Sequence, residues 1–286
     1  MFVALFSACA QTPDDNSTEP VSSPIRPVSR SYDYWVDIAA QNLGFNIMVN
    51  GAELLVSHRG NEFKTRIPIN DWMISGNNNI DIIVFWPDGI KFAPGISSAT
   101  FKLFLNDSIL KEFRWPLAGP DTQNSYPYTY SETFRTYYFP KVQLEKAERV
   151  ITSAGTLPRS DQEEIAAIAE QLRKAFREKD INSINDLLKV KYAELAASRF
   201  TTSTAVRSEE VAKYRELMGK EGFAVSFNGR NSFFSAADDR AVRLGQGRIG
   251  FPEPALVIIY REGGVSRRWE MDLYFAKIDG KWVIIR

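Results

Sequence analysis

A chain of 286 residues is long enough for about two domains of ordinary size. Its 35 basic and 35 acidic residues cancel to a formal net charge of zero, which weighs against a nucleic-acid partner, because phosphate binding draws on a basic surface. One His and one Cys exclude an intrachain disulfide and a His/Cys metal cluster; no EF-hand-type loop occurs, no metal or cofactor is implied, and no internal apolar run approaches the roughly 18–20 residues of a membrane span.

Met1 to Ala8 is wholly apolar or small and runs straight into Cys9. Leu5-Phe6-Ser7-Ala8-Cys9 resembles the lipobox of bacterial lipoproteins, with Phe6 where that family usually carries Leu, and with no basic residues ahead of the apolar stretch. The resemblance implies a partial signal peptide over residues 1–9 and lipid attachment at Cys9, which places a bilayer among the partners. Ala10 follows the Cys, and in a Gram-negative envelope that implies the outer membrane, facing the periplasm. Residues 10–31 are rich in Pro, Ser, Thr and Asp, cannot bury enough surface to offset chain entropy, and read as a disordered tether.

Residues 32–150 alternate in short runs. Strands are expected over 34–39, 45–49, 53–56, 63–69, 80–86, 99–105, 109–115 and 133–142, separated by turn residues such as Asn50-Gly51, Gly76 to Asn79 and Asn106-Asp107-Ser108. Asn50-Gly51 is a type I′ hairpin signal. Many short strands without a helix point to an antiparallel β-sandwich. The run from Phe45 to Val84, with its Asn-Gly hairpin and Trp72 followed by Gly76-Asn77-Asn78-Asn79, resembles the jelly-roll modules appended to carbohydrate-active enzymes. That resemblance implies a fold more than a ligand. Tyr126, Tyr128 and Tyr130 form a tyrosine-rich stretch with two uses: stacking on sugars or proteins, or covering the end of the sandwich. His58 has no partner carboxylate or nucleophile in its neighbourhood and reads as a surface residue.

Composition changes after Gly155. Ser160 and Glu163 read as a capping box, and Ile165, Ile168, Ala169, Leu172 and Phe176 follow at helical spacing. Asp180 or Asn182 caps a second helix with the stripe Ile184, Leu187, Leu188, Tyr192 and Leu195; a third starts near Ser208. Six strands are expected afterwards, the last two joined by Asp279-Gly280. Helices first and strands afterwards make an α+β order.

Ala175-Phe176-Arg177-Glu178-Lys179-Asp180 and the closing Phe275-Ala276-Lys277-Ile278-Asp279-Gly280-Lys281-Trp282-Val283-Ile284 resemble the nuclear transport factor 2-like superfamily, the cystatin-like cone fold. The resemblance implies that residues 156–286 are three helices packed on a curved antiparallel sheet, with a pocket between them and often a homodimer through the outer sheet face. In that pocket Trp269, Met271, Phe275 and Trp282 are the binding candidates. Arg268, Glu270, Asp272 and Tyr274 fall on the opposite face, so no ionisable group of this strand is expected in the pocket and no catalytic residue is assigned. Those polar residues should lie on a solvated or domain-facing surface.

The sequence therefore predicts a non-enzymatic envelope lipoprotein, α+β overall, that binds a protein partner or a small apolar ligand. Two other readings stay open: a small-molecule lyase or isomerase using the cone pocket, and a carbohydrate-binding protein acting through the β-sandwich.

Overall fold

The structure is a computed structural model, and it describes residues 33–58, 60–86, 96–116, 127–136, 142–150, 156–237, 239–247 and 253–286. Cys9, the tether and Tyr126 lie outside the described residues. Eight strands come first: β1 (Tyr34–Gln41), β2 (Gly44–Val49), β3 (Ala52–Ser57), β4 (Phe63–Pro68), β5 (Gly76–Phe85), β6 (Ser98–Leu105), β7 (Ser108–Trp115) and β8 (Tyr128–Thr136). They form two four-stranded antiparallel sheets, ordered β4-β1-β6-β7 and β3-β2-β5-β8. Alternation decides what each sheet buries. Val36 and Ile38 on β1, Phe101 and Leu103 on β6, Phe45 and Ile47 on β2, and Ile80 and Ile82 on β5 all enter one core. The edge strands β7 and β8 meet across one side: Phe113 stacks on Tyr130 with centroids 4.5 Å apart, and Lys111 pairs with Glu132 at 2.6 Å.

Asn50 and Gly51 have φ of 50° and 75°, the left-handed pair a type I′ turn demands, and they join Val49 directly to Ala52. Beside them the expected turn at Gly76 to Asn79 is instead the start of β5. Its Asn78 is buried: the side chain accepts from Asn50 Nδ2 at 2.9 Å and from Ile74 N at 2.8 Å. Asn50 Nδ2 also donates to Trp72 O at 2.7 Å, so amide side chains stand in for turn hydrogen bonds and pin the 3-10 turn Asn70–Trp72 to the sheet. Gly44 lies under the Phe85 ring, and a Cβ there would sit 2.3 Å from the nearest ring atom. Gly44→Ala is therefore expected to cost about 1–3 kcal/mol in chemical denaturation, and Gly44→Ala with Phe85→Leu should recover most of it.

Three helices follow: α1 (Arg159–Arg177), α2 (Ile181–Ser198) and α3 (Ser203–Gly219). The Ser160–Glu163 capping box does not form, because α1 starts two residues earlier, with Pro158 at the N-cap; Gln162 closes the first turn instead, donating from N to Pro158 O and from Nε2 to Leu157 O. Asp180 does cap α2, accepting from the backbone N–H of Asn182 and Ser183. Thr202 caps α3 five residues ahead of the expected start.

The remaining strands are β9 (Glu221–Ser226), β10 (Asn231–Ala236), β11 (Ala241–Gln246), β12 (Glu253–Pro254), β13 (Leu256–Glu262), β14 (Val265–Met271), β15 (Leu273–Ile278) and β16 (Lys281–Ile284). The expected long strand breaks at Asp272. Met271 still pairs with Leu256 on β13, whereas Leu273 pairs with Leu244 on β11, so the chain passes from the sheet β14-β13-β9 to the sheet β10-β11-β15-β16. The molecule is thus mixed α+β with several antiparallel sheets.

The two faces of β15 enter different cores. Leu273 and Phe275 pack with Leu172, Phe176 and Leu188 of the helices. Tyr274 and Ala276, with Ala236, Ala237 and Ile285, complete the core of the first two sheets. Residues 31–286 accordingly form one compact unit.

Candidate functional site

Of the four residues expected to line a pocket, three, Met271 included, are buried in the helical core. Phe275 is fully buried among helical side chains, and Trp282, 4% exposed, donates its Nε1–H to Asp161 at 3.0 Å. Trp269 and Met271, at the end of β14, line a cleft of about 370 Å³ between the first sheets and the helical half. Tyr128 and Tyr130 stack on Phe113, and His58 is exposed beside Phe85.

Asp272 and Tyr274 are directed at the first half, whereas Arg268 and Glu270 are exposed and pair with each other. Tyr274 sets its ring edge-on to Trp72 at 4.3 Å and its hydroxyl donates to Glu53 O at 3.3 Å. Arg243 on β11 bridges Asp272 at 3.0 Å and Glu53 at 2.9 Å, so one guanidinium ties β15 to β3. Burial opposes the charge on Arg243, yet Asp272 and Glu53 hold its pKa above the ordinary value.

Asp71 and Trp72 form the wall of the cleft on the side of the first sheets. Asp71 accepts from Arg199 Nη2 at 2.9 Å and from Ser198 Oγ at 2.8 Å. Burial disfavours its charge, but the hydrogen bond from Arg199 and the charges of Arg199 and Arg286 keep its carboxyl below the usual range. Arg286 is 5% exposed; its Nη1 donates to Glu194 at 3.2 Å, and its Nε donates to Asp71 O. Its Nη2 is buried without a hydrogen-bond partner.

Lys191 is the unusual group. It sits on α2, is 8% exposed, lines the cleft, and makes no hydrogen bond or ion pair among the described residues. Burial pulls its ammonium down to about 8; Glu210 and Asp71 oppose that shift, and Arg286 and Lys213 add to it. Lys213 on α3 lies 5.4 Å from the Trp269 ring centroid. Glu210 Oε2 accepts the Tyr214 hydroxyl at 2.6 Å, and burial with this carboxylate raises the phenol's pKa.

A lysine with a lowered folded pKa weakens the fold where it is charged. Below pH 8 both folded and unfolded chains hold the proton and the burial cost is complete. From about 8 to 10.5 the unfolded chain binds more protons, so stability rises with pH, and above that window the cost is gone. Lys191→Met is therefore expected to stabilise the protein by about 1–3 kcal/mol at pH 7. Denaturant unfolding of both forms from pH 7 to 10.5 should show this gap closing; a gap independent of pH would contradict it.

Lys191 was visible in the sequence. It stands three residues after Leu188 and four before Leu195, on the apolar stripe of its helix, where a charge is out of place. Asp71 and Arg286 carried no comparable local signal.

A second groove of about 630 Å³ crosses the outer face of the sheet β4-β1-β6-β7. Its charged groups pair among themselves, Arg66 with Asp37 and Glu112 with Lys102 and Arg114, and no aromatic ring lines it. Among the described residues no group of three or more His, Cys, Asp or Glu is placed to hold a metal ion, and no helix is long and apolar enough to cross a membrane. Comparison with family models, with curated protein sequences and with solved structures finds no match.

Proposed function

We propose that this chain is a cell-envelope lipoprotein that binds a small ligand in the cleft between its two halves, without catalysing a reaction. In this reading Cys9 carries the acyl chains and residues 10–31 are the tether. Residues 32–150 are a β-sandwich, and residues 156–286 a cone of the nuclear transport factor 2-like type. The sandwich is docked on the outer face of the cone sheet, through Tyr274, Ala276 and Arg243. What carries the reading is Lys191, a buried side chain that lines a cleft and has no hydrogen-bonded or ion-paired partner among the described residues, which is an arrangement a ligand would complete.

The interior between helices and sheet is filled by Phe275, Leu273 and Trp282, which weighs against a substrate pocket there. A homodimer through the outer sheet face would use β13 and β14, where Ile259 and Val265 are exposed, because β15 is covered.

The address and the binding site are tested separately. Cys9→Ser should move the protein from the membrane to the soluble fraction, since one Cys bears the whole anchor; unchanged fractionation would remove the lipoprotein assignment. Trp269→Ala should weaken ligand binding measured by calorimetry, and an unchanged affinity would place binding outside the cleft.

A further inference from the structure

We propose that the cleft binds a small organic anion, a carboxylate or a phosphate ester on an aromatic or apolar body, with its charged oxygens held at Lys191. This rests on the reading that the cleft is a ligand site, and it assigns the ligand's chemistry.

The hydrogen-bond inventory of the cleft gives the sign. Each acidic group at its wall already has a hydrogen-bonded or ion-paired partner. Asp71 is taken by Arg199 and Ser198, and Glu210 accepts from Tyr214. Glu53 and Asp272 share Arg243, and Glu270 pairs with Arg268. Two cationic groups keep unused donors. Lys191 has no hydrogen-bonded partner among the described residues, and Arg286 has one buried N–H unused. Lys213 is exposed and lies against the face of Trp269. The unfilled hydrogen-bonding positions are therefore donors, and they converge from α2 and from the chain beyond β16.

Position agrees with charge. Lys191 faces Glu210 and Lys213 of α3, Asp71 of the 3-10 turn and Arg286, the four charged groups whose fields act on it. An anion at Lys191 would accept from its ammonium and favour its charged form, alongside Glu210 and Asp71, against burial and the Arg286 and Lys213 charges. Trp269, Met271 and Leu195 supply the apolar wall for the rest of the molecule. A cleft of about 370 Å³ limits that molecule to one or two rings.

The test titrates the full chain with four probes that share a ring: benzoate, phenyl phosphate, benzamidine and benzyl alcohol. Calorimetry and tryptophan fluorescence give the affinities. Benzoate or phenyl phosphate should bind saturably, and whichever is tighter shows whether the natural ligand is a carboxylate or a phosphate ester. Lys191→Met should weaken that binding at least about tenfold, the scale of a charge-assisted hydrogen bond, while the exposed Lys64→Met leaves it unchanged. Because Lys191→Met is expected to be the more stable form, its loss of binding would not be a loss of fold. Binding of the anions that survives Lys191→Met overturns the proposal. So does equal binding of benzamidine or benzyl alcohol at a site lost in Trp269→Ala, although the cleft would then remain a ligand site of another chemistry. If none of the four probes binds, both the anion assignment and the cleft reading fall.

Discussion

Glu194→Leu is expected to destabilise the protein by about 3–5 kcal/mol and to lower its Tm by roughly 10 °C. Glu194 and Arg286 form a buried ion pair at 3.2 Å, with side chains 0% and 5% exposed. Burial already pulls the Arg286 guanidinium below its ordinary pKa, and Glu194 is the largest charge opposing that pull. Removing the carboxylate leaves a largely buried cation with Asp71 as its remaining nearby negative charge. The double variant Glu194→Leu/Arg286→Met removes both charges and should recover at least half of the loss, because desolvation of the pair then disappears too. Urea denaturation of the three proteins checks this. A Glu194→Leu protein within about 1 kcal/mol of the parent would mean that Arg286 is solvated and the pair counts for little.

Trp72→Ala is expected to be as costly, about 3–5 kcal/mol, and to act differently. Trp72 is 8% exposed; it packs against the Tyr274 ring at 4.3 Å and under the Arg286 guanidinium at 5.4 Å. Its loss opens a cavity at the joint rather than inside either core, so the two halves should lose their coupling. Calorimetry should resolve the parent's single transition into two, and hydrogen exchange should accelerate first along β15. One sharp transition, merely shifted down, would indicate that the halves unfold together without Trp72.

Much of the local structure was legible because it is written at short range. Asn50-Gly51 and Asp279-Gly280 both have paired positive φ and both close two-residue hairpins. Asp180 caps α2 as its position suggested. The Ser160–Glu163 spacing misled because Pro158, with its fixed φ, starts the helix two residues earlier and leaves Ser160 inside the first turn. The strand expected from residue 133 begins earlier, so Tyr128 and Tyr130 of the tyrosine-rich stretch belong to β8, where alternate residues face Phe113.

The site was legible only in part, for a physical reason. The alternation separated Met271, Leu273 and Phe275, which join the helical core, from Tyr274, which joins the other, but Glu270, Asp272 and Tyr274, expected away from the pocket, line the same cleft as Trp269 and Met271. It could not tell which apolar residues would be sealed and which would reach a cleft, because the break at Asp272 lies between them. The cleft is made by pairs far apart in the chain, such as Asp71 with Arg199 and Glu53 with Arg243, separated by 128 and 190 residues. One sequence carries no record of such pairings. Lys191 is the exception, since a lysine on an apolar helical stripe is a local anomaly.

The most direct measurement is the titration of Lys191 itself, by NMR of the full chain with 13C-labelled lysine and assignment by Lys191→Met. The ammonium should titrate at about 8 in the free protein and move upward when benzoate or phenyl phosphate is added. A Lys191 that titrates near 10.5, or that stays where it is with both anions present, would contradict a buried, unpartnered cation waiting for an anionic ligand.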